Sequence, residues 1–222
     1  YAYALIAGIY DAKKDMDNAA RYYESALQNV PAGDKYGSLR AGLLKMAASS
    51  YMDASKYAKA AELFLELSKA NTAGYFNSDW ILEQLAVCYL KNGELDKASA
   101  MFEELRKKHP DEFYKDKYCS DYLRVYMGHG NYDAAINLVL EAMEKSCQYY
   151  PYEAQVIEEA KASGKLDLFI AALKNRIQAE PNKTSLYLIL AECYEKQGKY
   201  KLEIECYEKV ESLLPPQIDF YK

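Results

Sequence analysis

Residues 85–110, LAVCYLKNGELDKASAMFEELRKKHP, have the spacing of two short amphipathic helices separated by a glycine. Apolar side chains recur at intervals of three and four on both sides of that glycine, which is the period of a helix with one buried face. Two small residues, Ala86 and Ala98, stand beside two large ones, Tyr89 and Phe102. Antiparallel helices approach to about 8–10 Å only where one of them contributes a small side chain. The stretch therefore predicts a helical hairpin whose helices cross at the two alanines.

The same order of residue types recurs along the whole chain. The positions equivalent to Tyr89 are separated by 41, 38, 37, 34 and 34 residues, and they are Tyr10, Tyr51, Tyr89, Tyr126, Ala160 and Tyr194. Four units carry a glycine between the two segments, at Gly93, Gly130, Gly164 and Gly198, where a helix ends in left-handed backbone. Prolines, which cannot continue a helix, close the second segment at Pro31, Pro110, Pro181 and Pro215. The pattern predicts an all-α chain of six helical hairpins.

This pattern resembles the tetratricopeptide repeat family. The residues that carry the resemblance are Leu82, Leu85, Ala86, Tyr89, Ala98, Phe102 and Pro110 in one unit, and Tyr187, Leu190, Ala191, Tyr194, Tyr207 and Pro215 in another. Three residues depart from the pattern: Glu153 and Ala160 replace aromatic residues, and Glu203 stands where a small crossing residue is expected.

The resemblance implies a right-handed α-α superhelix that forms one solenoid domain over residues 1–222. The expected units lie at about 1–32, 41–72, 79–110, 116–149, 150–181 and 184–215. We expect this domain to be part of a longer chain, because the sequence begins inside a helical pattern and its last helix is rich in apolar residues. The same apolar residues leave open a second explanation, in which an end of the solenoid packs on another subunit.

In tetratricopeptide repeats the first helix of each pair lines the concave surface, so the resemblance implies a binding groove there. Taking the helix face opposite the core residues, at 100° per residue, gives ten expected groove residues. They are Lys45, Ser49, Met52, Trp80, Glu83, Val87, Lys91, Lys117, Arg124 and Met127. Apolar side chains flanked by charges suit a peptide or another segment of a partner protein. The expected function is a noncatalytic adaptor, and the alternative is an assembly subunit that self-associates through its terminal helices.

Several of these residues have a second interpretation. Trp80, which follows the expected helix caps Ser78 and Asp79, lies either in the groove or between adjacent units. The tyrosines spaced four apart, Tyr114, Tyr118, Tyr122 and Tyr126, are interpreted as a core stripe rather than as a ligand-binding ladder. A carboxylate clamp of the kind found in part of the family would use Lys45, Ser49, Gln84, Lys117 and Asp121 here, and the acidic side chain of Asp121 disfavours it.

The composition excludes several other functions. The net charge is −5 and no basic cluster is present, so nucleic acid is not an expected partner. No apolar run approaches the roughly 20 residues that cross a bilayer. No phosphate loop, nucleophile motif or metal-ligand spacing occurs, and His109 and His129 are expected at helix ends, so neither catalysis nor a cofactor is expected.

The chain has five cysteines without the close pairs of a zinc site: Cys88, Cys119, Cys147, Cys193 and Cys206. We interpret them as buried small hydrophobic residues. Unpaired cysteines favour a reducing compartment such as the cytoplasm.

Overall fold

The computed structural model describes residues 2–31, 34–70, 74–110, 113, 117–145 and 152–214. Within these residues the chain forms twelve α-helices in six sequential pairs and no strand. The all-α repeat fold and its six hairpins are thus as predicted. The chain divides into two compact units, Tyr1–Pro110 and Asp111–Lys222. The single-domain organisation stays a prediction.

The first compact unit contains three helix pairs. They are α1 (Ala2–Ala12) with α2 (Met16–Gln28), α3 (Gly37–Asp53) with α4 (Tyr57–Ala70), and α5 (Ser78–Lys91) with α6 (Leu95–Lys108). A short 3-10 helix, Asp34–Tyr36, precedes α3. Each helix packs against the next one in sequence, so the hairpins are stacked in chain order. Tyr51, Phe64 and Phe102 are among the largest side chains that this packing removes completely from solvent.

The second compact unit contains the other three pairs. They are α7 (Lys117–His129) with α8 (Tyr132–Lys145), α9 (Tyr152–Ala162) with α10 (Leu166–Ala179), and α11 (Thr184–Lys196) with α12 (Tyr200–Leu213). Here the first helices of successive pairs also pack together, α7 on α9 and α9 on α11. Ile136, Leu138, Ile157 and Phe169 are fully buried in its core.

The crossing of α5 and α6 has the predicted composition. Ala86, Ala98 and Phe102 have no exposed surface, and Tyr89 is buried beside them. The small residues let the two backbones approach, and the aromatic rings fill the space on either side. The contrast between small and large residues in this stretch therefore follows from close packing.

The turn inside each pair uses one left-handed residue. Gly93 has φ +79°, and the next amide, that of Glu94, donates to the carbonyl of Tyr89 at 2.9 Å. The first two pairs make the same turn with Lys14 at φ +61° and Ser55 at φ +58°. These residues lack the freedom of glycine, since left-handed backbone brings Cβ against the following carbonyl. Their equivalence to the glycines was not predicted from the sequence.

Two further features of the fold are the burial of the cysteines and the lengths of the helices. Cys88, Cys119, Cys193 and Cys206 are buried, as predicted, whereas Cys147 lies outside the described residues. Burial raises the pKa of the Cys88 and Cys193 thiols to about 12. None of the described helices is long and apolar enough to span a bilayer.

Candidate functional site

Seven of the expected groove residues belong to the first compact unit, on the first helices of the second and third pairs. The structure places Lys45, Ser49 and Met52 on α3 and Trp80, Glu83, Val87 and Lys91 on α5. Lys91 is exposed, and the other six are half-buried. Each therefore keeps some surface in contact with solvent. We call these seven residues the groove face; its role in binding stays a prediction.

The three groove residues expected in the second compact unit have different outcomes. Arg124 is exposed, and its guanidinium donates to Asp121 at 2.7 Å and to Glu159 at 3.3 Å. Met127 is only 2% exposed, because α7 packs against both α8 and α9. The placement of Met127 on an open surface was therefore wrong. The side chain of Lys117 lies outside the described residues.

Asp121 and Tyr122 of α7 are part of the interior, whereas Tyr118 and Tyr126 are half-buried. Asp121 is buried and bound to Arg124, so its carboxylate stands where a clamp would need a cation. Tyr122 is buried and meets Phe113 edge to face at 6.0 Å, and Tyr126 donates its hydroxyl hydrogen to Tyr122 at 2.8 Å. These contacts confirm the core interpretation for Tyr122. Tyr114 is not among the described residues.

Trp80 sits in an aromatic cluster that joins α3, α4 and α5. Its ring meets Phe64 of α4 edge to face at 5.8 Å and lies 6.4 Å from Phe76. The ammonium of Lys45 is 5.0 Å from the centroid of Trp80 and 5.1 Å from that of Phe76, within reach of a cation–π attraction. Trp80 thus packs against the preceding helix pair and still keeps part of its surface exposed. The packing of Trp80 between adjacent units is confirmed, and its place in a binding groove stays a prediction.

The residue that caps the N-terminus of α5 differs from the expected ones. The N-cap is Asn77, whose side-chain oxygen accepts from the amides of Asp79 at 2.7 Å and Trp80 at 3.2 Å, so the expected caps Ser78 and Asp79 were wrong. An asparagine at this position satisfies two amides that a helix leaves unpaired.

Asp79 instead joins the start of α5 to the end of α6. Its carboxylate accepts from His109 Nε2 at 2.9 Å and from the Lys108 ammonium at 3.1 Å. The hydrogen bond from His109, with that from Lys108, holds the pKa of Asp79 below its ordinary value. His109 is the C-cap of α6, as expected of a helix-end residue. Its pairing with a residue 30 positions earlier could not be read from the local pattern.

A pocket of ≈ 470 Å³ opens next to the aromatic cluster of Trp80, between the first and second helix pairs. Its lining residues are Asp11, Tyr23, Gly42, Lys45, Met46, Ser49, Ser50 and Asp53. Lys45 and Ser49 were expected at the site, and the other six were missed. One signal was present in the sequence: Asp11 and Asp53 each follow a repeat tyrosine by one or two residues, in the last turn of a helix, where a carboxylate is unfavourable.

Lys45 connects the pocket to the aromatic cluster. Its side chain lines the pocket on α3, and its ammonium lies over the two aromatic rings that precede and begin α5. The groove face and the pocket are therefore parts of one surface that extends from α1 to α5. In the described residues no group of three His, Cys, Asp or Glu side chains is placed to hold a metal ion.

Comparisons with known proteins agree with this geometry. Sequence profiles described as tetratricopeptide repeat match residues 2–32, 51–116 and 184–215, which together make up more than half of the chain. The chain belongs to the tetratricopeptide repeat family. No curated protein sequence matches it. Tetratricopeptide repeats are scaffolds that bind proteins or peptides and are typically noncatalytic, since stacked hairpins offer extended surfaces rather than convergent reactive groups.

Two solved structures resemble the fold. The crystal structure of a tetratricopeptide repeat protein from Parabacteroides merdae ATCC 43184 is 20% identical, with a TM-score of 0.56 over 97% of this chain and 80% of its own. The apo form of RapI is 19% identical, with a TM-score of 0.51 over 95% of this chain and 81% of its own. At such identities the likeness shows the helical repeat fold alone.

Proposed function

We propose that the first compact unit binds a segment of a partner protein along the groove face and the adjoining pocket. The observation that carries this proposal is the position of Lys45, which both lines the pocket and covers Trp80. The side chain of Lys45 thereby connects the first helices of three successive repeats into one continuous surface. Membership of a family of protein-binding scaffolds supports the same function.

The chemistry of this surface favours a peptide of mixed character. Val87 and Trp80 offer apolar surface on α5, and Met46 is exposed in the lining of the adjoining pocket. Glu83 and Lys91 flank Val87 at one helical turn on either side, so charges of both signs border the apolar centre. Such a centre with a polar rim is typical of protein interfaces. The net charge of −5 argues against a nucleic-acid partner.

Selection from a displayed library of random twelve-residue peptides tests this proposal. Peptides selected on the parent chain would be synthesised, and their affinities measured by fluorescence anisotropy for the parent, Val87→Glu and Leu65→Glu. Val87→Glu places a carboxylate in the centre of the groove face. Leu65 is exposed on α4, is not one of the groove-face residues, and serves as the matched control.

We expect Val87→Glu to weaken binding about tenfold or more and Leu65→Glu to leave it unchanged. Circular dichroism of both variants checks that the helices remain. If the library yields no binder, or if both variants bind the selected peptides as the parent does, the groove face is not the binding surface.

Self-association is a second candidate function, supported by the surface of α12. Tyr200, Ile204 and Tyr207 are exposed on α12 at spacings of four and three, so they share one helix face. Cys206 is the one residue of α12 that is buried. In this pair Glu203 replaces the small crossing residue. We propose that this apolar face packs against a second copy of the chain.

A further inference from the structure

A groove of ≈ 340 Å³ lies in the second compact unit, where α10, α11 and α12 meet. These are the second helix of the fifth pair and both helices of the sixth, and α11 packs against the other two. The volume is near the lower end of the roughly 300–1,000 Å³ of ligand-binding pockets, so it suits a few side chains of a short segment. None of the residues that line this groove belongs to the groove face.

The interior of this groove is apolar and held in place by packing. Tyr194 is 5% exposed and Leu190 is 6% exposed, and Leu202 beside them is half-buried. The hydroxyl of Tyr187, another lining residue, donates to the carbonyl of Pro181 at 2.9 Å, which orients its ring. An apolar side chain that covers these residues removes apolar surface from water, which favours binding.

Two lysines give the lining of this groove an excess of positive charge. Lys174 on α10 and Lys209 on α12 are exposed, and within the described part of the chain neither forms an ion pair. The ammonium of Lys174 lies 5.7 Å from the ring centroid of Tyr194, within reach of a cation–π attraction that holds it at the groove. Of the lining residues that the structure describes, Glu205 alone is acidic, so two ammonium groups face one carboxylate.

A groove at the equivalent place in the first compact unit has the opposite charges. It has a volume of ≈ 310 Å³ and is lined by residues of α2, α3 and α4. Glu24 on α2 occupies the position of Lys174, since each follows the repeat position of its own pair by 14 residues. Glu66 on α4 occupies the position of Lys209, since each follows that position by 15 residues. The same sites of the repeat therefore carry two carboxylates in one groove and two ammonium groups in the other.

The carboxylates of the first of these grooves have partners within the protein. Glu24 accepts from the hydroxyl of Tyr51 at 2.5 Å and lies 3.6 Å from the ammonium of Lys59. Glu66 pairs with the guanidinium of Arg40 at 3.4 Å. The two lysines of the other groove have no such ion pairs among the described residues, so their charges are available to a ligand of opposite sign.

We propose that the groove at α10, α11 and α12 binds an acidic segment of a partner protein, in which aspartate or glutamate residues flank a large apolar side chain. The apolar side chain covers Leu190 and Leu202, and the flanking carboxylates pair with Lys174 and Lys209. Charge-assisted pairs of this kind add specificity to an apolar contact, because a basic segment is repelled. The inference goes beyond the proposed function, because it concerns a surface of the second compact unit.

The test uses the full 222-residue chain and three synthetic hexapeptides. Each has a Leu-Phe centre with two identical residues on either side, which are glutamates, glutamines or lysines. Two-dimensional amide NMR spectra would be recorded during titration with each peptide. We expect the glutamate peptide to bind about tenfold or more tightly than the glutamine peptide and the lysine peptide not to bind the groove. Its shifts should be confined to α10, α11 and α12, and added salt should weaken its binding.

Charge reversal identifies the groups responsible. Lys174→Glu with Lys209→Glu gives the groove the charges of its counterpart in the first compact unit, so this double variant should prefer the lysine peptide to the glutamate peptide. Lys199→Glu with Lys201→Glu makes the same change in net charge at exposed residues outside the lining, and it should keep the preference for glutamate. Val87→Glu alters only the groove face and should leave binding of the glutamate peptide unchanged. Circular dichroism of each variant checks that the helices remain.

Several results would overturn this proposal. They are equal affinity for the glutamate and glutamine peptides, a preference for glutamate that survives in the Lys174→Glu, Lys209→Glu variant, or the absence of binding by all three peptides. Binding of anionic phospholipid vesicles that the same double variant loses, without binding of the glutamate peptide, would assign the groove to a membrane surface instead. None of these results bears on the groove face, which the peptide selection and Val87→Glu test separately.

Discussion

Ala98 has no exposed surface at the crossing of α5 and α6, so its size is a quantitative test of the fold at the scale of one residue. Ala98→Leu adds three carbon atoms where no space exists, and overpacking of this kind costs about 1–3 kcal/mol. Urea unfolding followed by circular dichroism measures the loss. Ala100→Leu, at an exposed position on the same helix, should change the free energy of unfolding by less than about 0.5 kcal/mol. An equal effect of the two substitutions would contradict the assigned crossing.

Asp79 gives a second residue-scale prediction, which depends on pH. The hydrogen bonds from His109 and Lys108 lower the pKa of its carboxyl in the folded protein. The stabilising contribution is therefore complete above the unfolded pKa of about 3.9 and is lost as the pH falls through the lower folded pKa. Asp79→Asn should lower the urea midpoint at pH 7, and the difference from the parent should shrink below about pH 4.

Glu62→Gln is the control for this experiment, because Glu62 is exposed on α4. Its midpoint should follow that of the parent at every pH. A difference between Asp79→Asn and the parent that stays constant from pH 7 to pH 3 would show that the carboxylate does not stabilise the start of α5.

The turn between α1 and α2 provides a prediction at the scale of the element. Lys14 has φ +61° at the position where four other pairs have glycine. Lys14→Gly should stabilise the protein by about 0.5–1 kcal/mol, because glycine adopts left-handed backbone without the steric cost of Cβ. Lys13→Gly removes the same charge one residue earlier, where φ is not positive, and should have no stabilising effect. Urea midpoints that rise equally, or in neither variant, would contradict this account of the turn.

The elements were predictable because their signals are local. The period of three and four, the glycine turns and the closing prolines all lie within about 35 residues of each other, so the six pairs could be placed before any tertiary contact was known. The exceptions depend on geometry that the pattern does not contain. Asn77 takes the cap because its side chain reaches two free amides, and Lys14 adopts left-handed backbone although its residue type does not favour it.

The candidate site was less predictable for a related reason. Lys45 and Ser49 follow from their position on one helix, and the structure brings them into the same pocket. Asp11 precedes them by 34 and 38 residues and lies on another helix, so its approach depends on how two repeats stack. Met127 occupies the position within its repeat that corresponds to the expected groove, but the packing of α7 against α9 covers its side chain. Repeat register thus predicts which residues share a helix face but not whether that face stays open.

At the scale of the whole molecule, the exposed face of α12 predicts weak self-association. The helix has 14 residues, which is about 21 Å of length at 1.5 Å per residue. One face of such a helix buries less than the roughly 800 Å² per partner of a standard stable interface. We therefore expect a dimer at micromolar or higher concentration rather than a permanent assembly. Sedimentation velocity over a range of concentrations measures this directly.

The matched variants for this measurement are Ile204→Glu and Leu168→Glu. Both residues are exposed and apolar, and they lie on α12 and α10 respectively. A carboxylate at Ile204 would be buried without a partner in the dimer, so this variant should remain monomeric at concentrations where the parent and Leu168→Glu associate. A parent that sediments as a monomer at every concentration would refute self-association through α12. Equal association of all three proteins would place the contact on another surface.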